Sequence, residues 1–293
     1  MRMLLLIATN MAVLLLATIT LNLLGVGPWL GAHGIDYPAL VITGAVIGFG
    51  GAFFSLAISK WIAKRSMGVV LIATPRNDTE AWLVATVRRE AEAAGIGMPE
   101  VGIFDSPEPN AFATGASRNH ALVAVSSGLL ARMDRTEAAA VMGHEITHVA
   151  NGDMVTLTLI QGVVNTFVFV LSRVVGNLVD NALRGDREER GPGIGFFVAT
   201  LVAQLVLGLF ANMIVMWFSR RREFRADAGG ARLGGRDAMI GALEALQRVH
   251  GEGLPQAMQA FGVAGPDRVT GLKRLFMSHP PLEERIEALR QAS

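Results

Sequence analysis

The sequence predicts an α+β chain, predominantly helical and held in a membrane by four apolar helices, with a small antiparallel sheet in its water-exposed part. Three observations predict this. Half of the residues are apolar and only 17% are charged, too greasy a composition for an ordinary water-soluble domain. The apolar residues gather in four stretches, 3–26, 37–58, 154–179 and 194–218, each long enough to cross a hydrocarbon layer. Between the second and third stretch, short apolar runs punctuated by Pro and Gly alternate with helical patterns.

In chain order, 3–26 is longer than the apolar core of a cleavable signal and reads as a retained span. The second, 37–58, follows a short Gly/Pro turn, and its Gly44, Gly48, Gly50 and Gly51 suit close helix packing in lipid. Val69 opens a strand candidate over 69–73. An amphipathic helix over 79–94 follows, with Trp82, Leu83, Thr86 and Val87 inward and Arg88, Arg89 and Glu92 outward. Further strands are expected at 100–104, 111–114 and 121–126. The next helix has Asp134 as N-cap, Glu137 completing a capping box and Gly152 as its stop. After the second pair of spans come helices over 219–233 and 236–250, an irregular stretch over 251–267, and a last helix over 281–291 with Pro at its start. The expected divisions are thus 1–59 and 154–218 as membrane hairpins, with 60–153 and 219–293 as two parts of one water-exposed body.

Lys60, Lys64 and Arg65 follow the second span, and Arg220, Arg221 and Arg222 follow the fourth, whereas the loop 25–36 has no Lys or Arg. Charge bias therefore puts both clusters inside, which is the cytoplasmic side if the source is a bacterium or archaeon. The loop 180–193 mixes Arg184, Arg187 and Arg190 with acids, so the last pair can also be a shallow hairpin or a buried helical pair.

The chemistry sits in His144-Glu145-Ile146-Thr147-His148. Two imidazoles four residues apart share one helical face and can aim at one metal ion, with Glu145 beside them as a base. Ala140, Val141, Ile146 and Val149 flank the motif with apolar surface, which argues against a pair of open-surface histidines. With no cysteine in the chain, any metal must be held by His and carboxylates. The net charge of +1 gives no reason to expect nucleic acid.

A catalytic zinc takes three protein ligands and leaves a position open. The remaining histidines are His33, His120, His250 and His279. Among carboxylates, Glu223 in Glu223-Phe224-Arg225-Ala226-Asp227 is preferred, since Glu223 can ligate while Asp227 on the same face holds a ligating imidazole. Spacing alone also fits a solvated acidic face. Two spans separate His148 from Glu223, an even number, so both finish on one side of the membrane.

These two motifs, with two spans before them and two between, closely resemble the HtpX-type membrane zinc proteases, relatives of the CAAX prenyl endoproteases within the gluzincins. Asn110-Ala111-Phe112-Ala113-Thr114-Gly115 and His279-Pro280-Pro281 followed by Glu284-Arg285 extend the match. The resemblance implies a zincin-like metalloprotease domain, zinc held by His144, His148 and Glu223, catalysis by Glu145, and degradation of damaged membrane proteins in stress-related quality control. His279, with Arg285, is then expected to support the oxyanion. Ala111 and Ala113 leave a strand edge open for main-chain pairing with a peptide, beside Asn110 and Phe112. The expected partners are polypeptide substrates and the lipid bilayer. Two rivals remain: a zinc-binding membrane scaffold that has lost catalysis, which would have no use for a base such as Glu145, and a transporter, for which Arg173 is the one plainly ionisable group inside a span.

Overall fold

The computed structural model describes residues 36–184, 192–252 and 279–292. The expected span over 3–26, His33, most of the stretch 251–267 and the side chain of His250 lie outside them. The order is α1 (Tyr37–Ser66), β1 (Val70–Leu71), α2 (Asp78–Ala93), β2 (Glu100–Phe104), β3 (Ala111–Thr114), β4 (Leu122–Ser126), α3 (Ser127–Arg132), α4 (Arg135–Asn151), α5 (Asp153–Arg184), α6 (Ile194–Gly234), α7 (Arg236–Glu252) and α8 (Leu282–Gln291). The chain forms two compact units, one from Met1–Ser55 and Thr156–Val215, the other from Leu56–Val155 and Met216–Ser293.

In the first unit, α1, α5 and α6 are long and apolar enough to cross a membrane. Their outer faces are greasy: Leu201, Leu205, Leu209 and Phe210 are each more than half exposed, which suits lipid and not a buried helical pair. Close packing of α1 on α5 runs through Gly44 and Gly48. A Cβ at Gly48 would lie 2.6 Å from Thr166 Oγ1 and 2.8 Å from the Gly162 carbonyl. Gly50 and Gly51 meet nothing within 4 Å among the described residues, so two of the four glycines expected to pack do so. Helix α5 continues to Arg184, past the expected loop start, and Asp180 accepts the Gly193 and Phe196 N–H groups that open α6.

The second unit carries the sheet, which is mixed rather than antiparallel. Strand order is β1-β2-β4-β3, with β2 parallel to β4 and the other pairs antiparallel. The chain leaves β2, crosses to the far edge to make β3, and returns through β4 into the centre. That crossover makes the central pair parallel and leaves β3 with one partnered edge. Central position explains why all five residues of β4 are buried. The expected helix over 219–233 is not separate: α6 is one rod of 41 residues, because Ser219 to Arg222 interrupt the apolar run without breaking helical geometry.

Helix α2 buries Leu83, Thr86, Val87, Glu90 and Ala91, the positions its period turns inward. Glu90 is 1% exposed, and neither carboxylate oxygen has a hydrogen-bond partner among the described residues. Burial pushes its carboxyl from 4.5 up to about 8, against the opposing charge of Arg89. The folded state thus holds this proton more tightly than the unfolded chain. Stability from this group is complete below about pH 4.5, declines as pH rises toward 8 and then levels off. At pH 7 the penalty is about 3 kcal/mol. Glu90→Gln should therefore raise the melting temperature at pH 7–8 and flatten its fall between pH 5 and 8. Parallel melting curves for variant and wild type over that range would contradict this.

Candidate active site

Helix α4 is held at both ends by local chemistry. Asp134 accepts the Glu137 N–H at 2.8 Å, Glu137 accepts the Asp134 N–H at 3.1 Å, and Gly152 closes the helix with φ +71°. The helix sinks into the core along most of its length, which carries His144 and His148 to 6% and 8% exposure.

Helix α6 reaches α4 through a seam of small residues. A Cβ on Gly229 would lie 2.2 Å from the Thr147 side chain, one on Gly230 3.0 Å from His144 N, and one on Gly234 2.8 Å from Ala140 Cα. This near-contact of backbones brings Glu223 and Asp227 beside the histidines. Gly229→Ala should cost about 1–3 kcal/mol of stability through overpacking against Thr147, read as a lower melting temperature. An unchanged melting temperature would show that the seam can open without cost.

The structure brings together His144, His148 and Glu223, all buried, with one ligand atom from each within 4.8 Å of the others. The two Nε2 atoms are 3.2 Å apart. Glu223 places Oε2 3.6 Å from Nε2 of His144 and Oε1 3.4 Å from Nε2 of His148. Ligands 2.0–2.1 Å from a tetrahedral ion stand roughly 3.3 Å apart, so this triangle has the dimensions of one face of such a site. Behind the rings, His144 Nδ1 lies 2.9 Å from Asp227 Oδ1 and His148 Nδ1 2.6 Å from Asp153 Oδ2. His148 turns Nδ1 to Asp153 in a hydrogen bond, Asp227 faces Nδ1 of His144 as an ion-pair contact, and both Nε2 atoms are left facing the cluster. Two lone pairs and a carboxylate converging on one buried point call for a cation. Burial lowers the His148 imidazole, but hydrogen bonds to Asp153 and Glu223 outweigh it and push it up to about 9. Burial likewise raises Glu223, yet bonds from His144, His148 and His279 hold its carboxyl far below the usual range.

The other expected residues surround this cluster. Glu145 Oε2 accepts the Ala113 N–H at 2.8 Å. Arg285 donates from Nε and Nη2 to Asp227 at 2.8 and 2.6 Å, a bidentate pair buried on both sides, so its guanidinium is committed to Asp227. His279, with a side chain 62% exposed, contacts Glu223 Oε2 through Nδ1 at 2.8 Å. His120 is elsewhere, on the surface beside Ser117.

Asn110, Ala111, Phe112 and Ala113 divide by strand alternation. Asn110 turns its main chain to β4, accepting the Ser126 N–H, and its side chain is exposed. Phe112 packs against Phe104 in a small apolar cluster, the two rings tilted by 41°. Ala113 sends its N–H away from β4 to Glu145, and the two-residue period gives Ala111 the same outward edge. Asp153 is the site residue that sequence reasoning missed. An acid directly after the glycine stop of α4, at the first position of the next helix, was the available signal.

Comparison with known proteins agrees with this arrangement. The model of "Peptidase family M48" matches residues 77–293. "Protease HtpX homolog" of Thiobacillus denitrificans is 62% identical over 289 residues, covering 99% of this chain and 98% of the relative. "Protease HtpX" of Nitrosococcus oceani is 60% identical, covering 99% and 98%, and that of Stenotrophomonas maltophilia 59%, covering 100% and 98%. The fold is similar to the crystal structure of S. mikatae Ste24p, with TM-score 0.62 at 18% identity, over 95% of this chain and 67% of that one. Long apolar helices, a buried His-His-Glu cluster and full-length kinship thus converge on an integral membrane metallopeptidase, and the chain belongs to peptidase family M48, in its HtpX branch.

Proposed function

We propose that the chain is a zinc endopeptidase of the bacterial inner membrane that cleaves misfolded or damaged membrane proteins from the cytoplasmic side. In this reading 60–153 and 219–293 make the catalytic body, while 1–59 and 154–218 are membrane hairpins. The observation that carries it is the Nε2, Nε2 and carboxylate triangle with Glu145 at its rim.

His144, His148 and Glu223 hold one zinc ion; two imidazoles and a carboxylate are a donor set that zinc favours. When bound, zinc lowers the pKa of water toward neutrality and polarises a peptide carbonyl. Glu145 takes the proton of the attacking water and delivers it to the leaving amine, with the Ala113 N–H keeping its carboxylate in place. Asp227 and Asp153 fix the two imidazoles, and Arg285 fixes Asp227. His279, anchored through Nδ1 yet open to solvent, donates to the developing oxyanion. Substrate adds as an extra strand on the outer edge of β3, through the main chain of Ala111 and the carbonyl of Ala113, whose N–H stays with Glu145. Asn110 borders that edge, and Phe112 props the strand from behind.

Asp153→Asn should weaken zinc binding by about 10- to 100-fold, measured by competition with a fluorescent chelator. Unchanged affinity would remove Asp153 from the site. The function itself is tested by offering the purified protein in liposomes a native membrane protein and a destabilised variant of it. Zinc-dependent, chelator-sensitive cleavage that prefers the destabilised form is expected; equal cleavage of both would refute the quality-control role.

A further inference from the structure

Arg173 is an ionisable group that the peptidase reading leaves unused. It stands on α5 inside the third apolar stretch, and none of the four stretches contains Asp or Glu. Its guanidinium folds back over the Phe169 ring, with Cζ 3.3 Å from the ring centre, and Nη1 donates to the Phe169 carbonyl at 3.3 Å. Most of its N–H donors are left over, and no carboxylate pairs with it among the described residues. The acids that flank these stretches are committed elsewhere. Asp36 accepts the Ala39 N–H at 3.1 Å, and Asp180 accepts those of Gly193 and Phe196 at 3.0 and 3.2 Å.

A charge held in hydrocarbon without a counter-ion is costly, so its depth identifies the partner. Counted along α5 from Asp153, Arg173 comes about 20 residues on, about 30 Å of helix and the thickness of a hydrocarbon core. Tyr37, the single tyrosine of the chain and the first residue of α1, is buried with Val170 in a cluster that takes in Phe169 and Val174. Tyrosine gathers where hydrocarbon meets headgroups. Both markers set Arg173 at that boundary, where the abundant anion is lipid phosphate. An arginine that merely snorkels extends into water, whereas this guanidinium is drawn back one turn toward the start of α5. Leu171 and Val175, 40% and 39% exposed, flank it with surface for acyl chains.

We propose that Arg173 is a lipid-binding residue, whose guanidinium holds the headgroup phosphate of one phospholipid through the paired donors that an arginine fork offers. The phosphate supplies the counter-charge that the apolar stretches lack, and fastens the lipid to α5 beside the start of α1.

The test uses the full-length, zinc-loaded protein, stripped of lipid in a neutral detergent, titrated with phosphatidylglycerol and followed by native mass spectrometry. Wild type should bind one lipid saturably. Arg173→Gln should raise Kd about 10- to 100-fold, the size expected for hydrogen bonds from a charged donor. Arg65→Gln, which removes an exposed charge from the last turn of α1, should leave Kd unchanged. Neither diacylglycerol, which has no phosphate, nor glycerol 3-phosphate, which has no acyl chains, should compete at equal concentration. An unchanged Kd in Arg173→Gln, or an equal loss in Arg65→Gln, overturns the proposal. So does competition by diacylglycerol, which would mean that the chains alone bind, or by glycerol 3-phosphate, which would mean a site for soluble phosphate. Should Arg173→Gln fail to fold, Arg173→Lys decides, since it keeps the charge and loses the fork: weaker binding supports the proposal and unchanged binding overturns it.

Discussion

Glu145→Gln should lower casein hydrolysis by about 100- to 10 000-fold while leaving one zinc per chain. That span is the usual contribution of a positioned general base. Gln preserves the length of the side chain and an oxygen able to accept the Ala113 N–H, so β3 keeps its anchor on α4. It cannot take a proton at neutral pH. The three groups of the His144, His148 and Glu223 cluster are untouched, so metal analysis should match wild type. Retained activity would mean that another group serves as base. Loss of zinc would mean that Glu145 supports the metal instead.

Glu223→Ala should abolish both zinc binding and activity. The side chain closes the triangle from α6, and its removal leaves two imidazoles from one turn of α4, too few for a tight site. It also strips His279 and Arg285 of a carboxylate partner. The cleanest readout is thermal. Zinc bound to the folded chain stabilises it by mass action, about 4 kcal/mol at a thousandfold excess over Kd. Wild type should therefore melt higher as zinc is added, and Glu223→Ala should not respond. Glu223→Asp is the informative companion, because it retains charge but withdraws the oxygens by about one carbon–carbon bond, ~1.5 Å. Intermediate zinc affinity is expected. A full zinc response in Glu223→Ala would show that a different residue completes the site.

Much of this was legible in the chain because the signals were local. The bounds of β2 and β3 and both ends of α4 follow from turn residues and caps, which act over three or four positions. The inward face of α2 was read correctly at Leu83, Thr86 and Val87, and the same period, carried one step further, reaches the buried Glu90, which the reading did not include. The mixed sheet could not be read, since strand order depends on which edge a returning strand takes. Asp153 was passed over because its place behind His148 depends on how α5 leaves α4, which spacing does not show.

By itself the sequence determined which groups were available: two imidazoles and a base on one capped helix, an acidic pair on another, no thiol, and long apolar segments before and between the two motifs. Only the tertiary structure decided how they meet. The glycine seam lets α6 approach α4 closely enough for Glu223 to complete a triangle of ligand dimensions, and Asp153, Asp227 and Arg285 then fix its rings and carboxylates. Periodicity and capping are properties of neighbouring residues, whereas convergence on one ion depends on distances between segments some 75 residues apart, set by packing that no local pattern encodes.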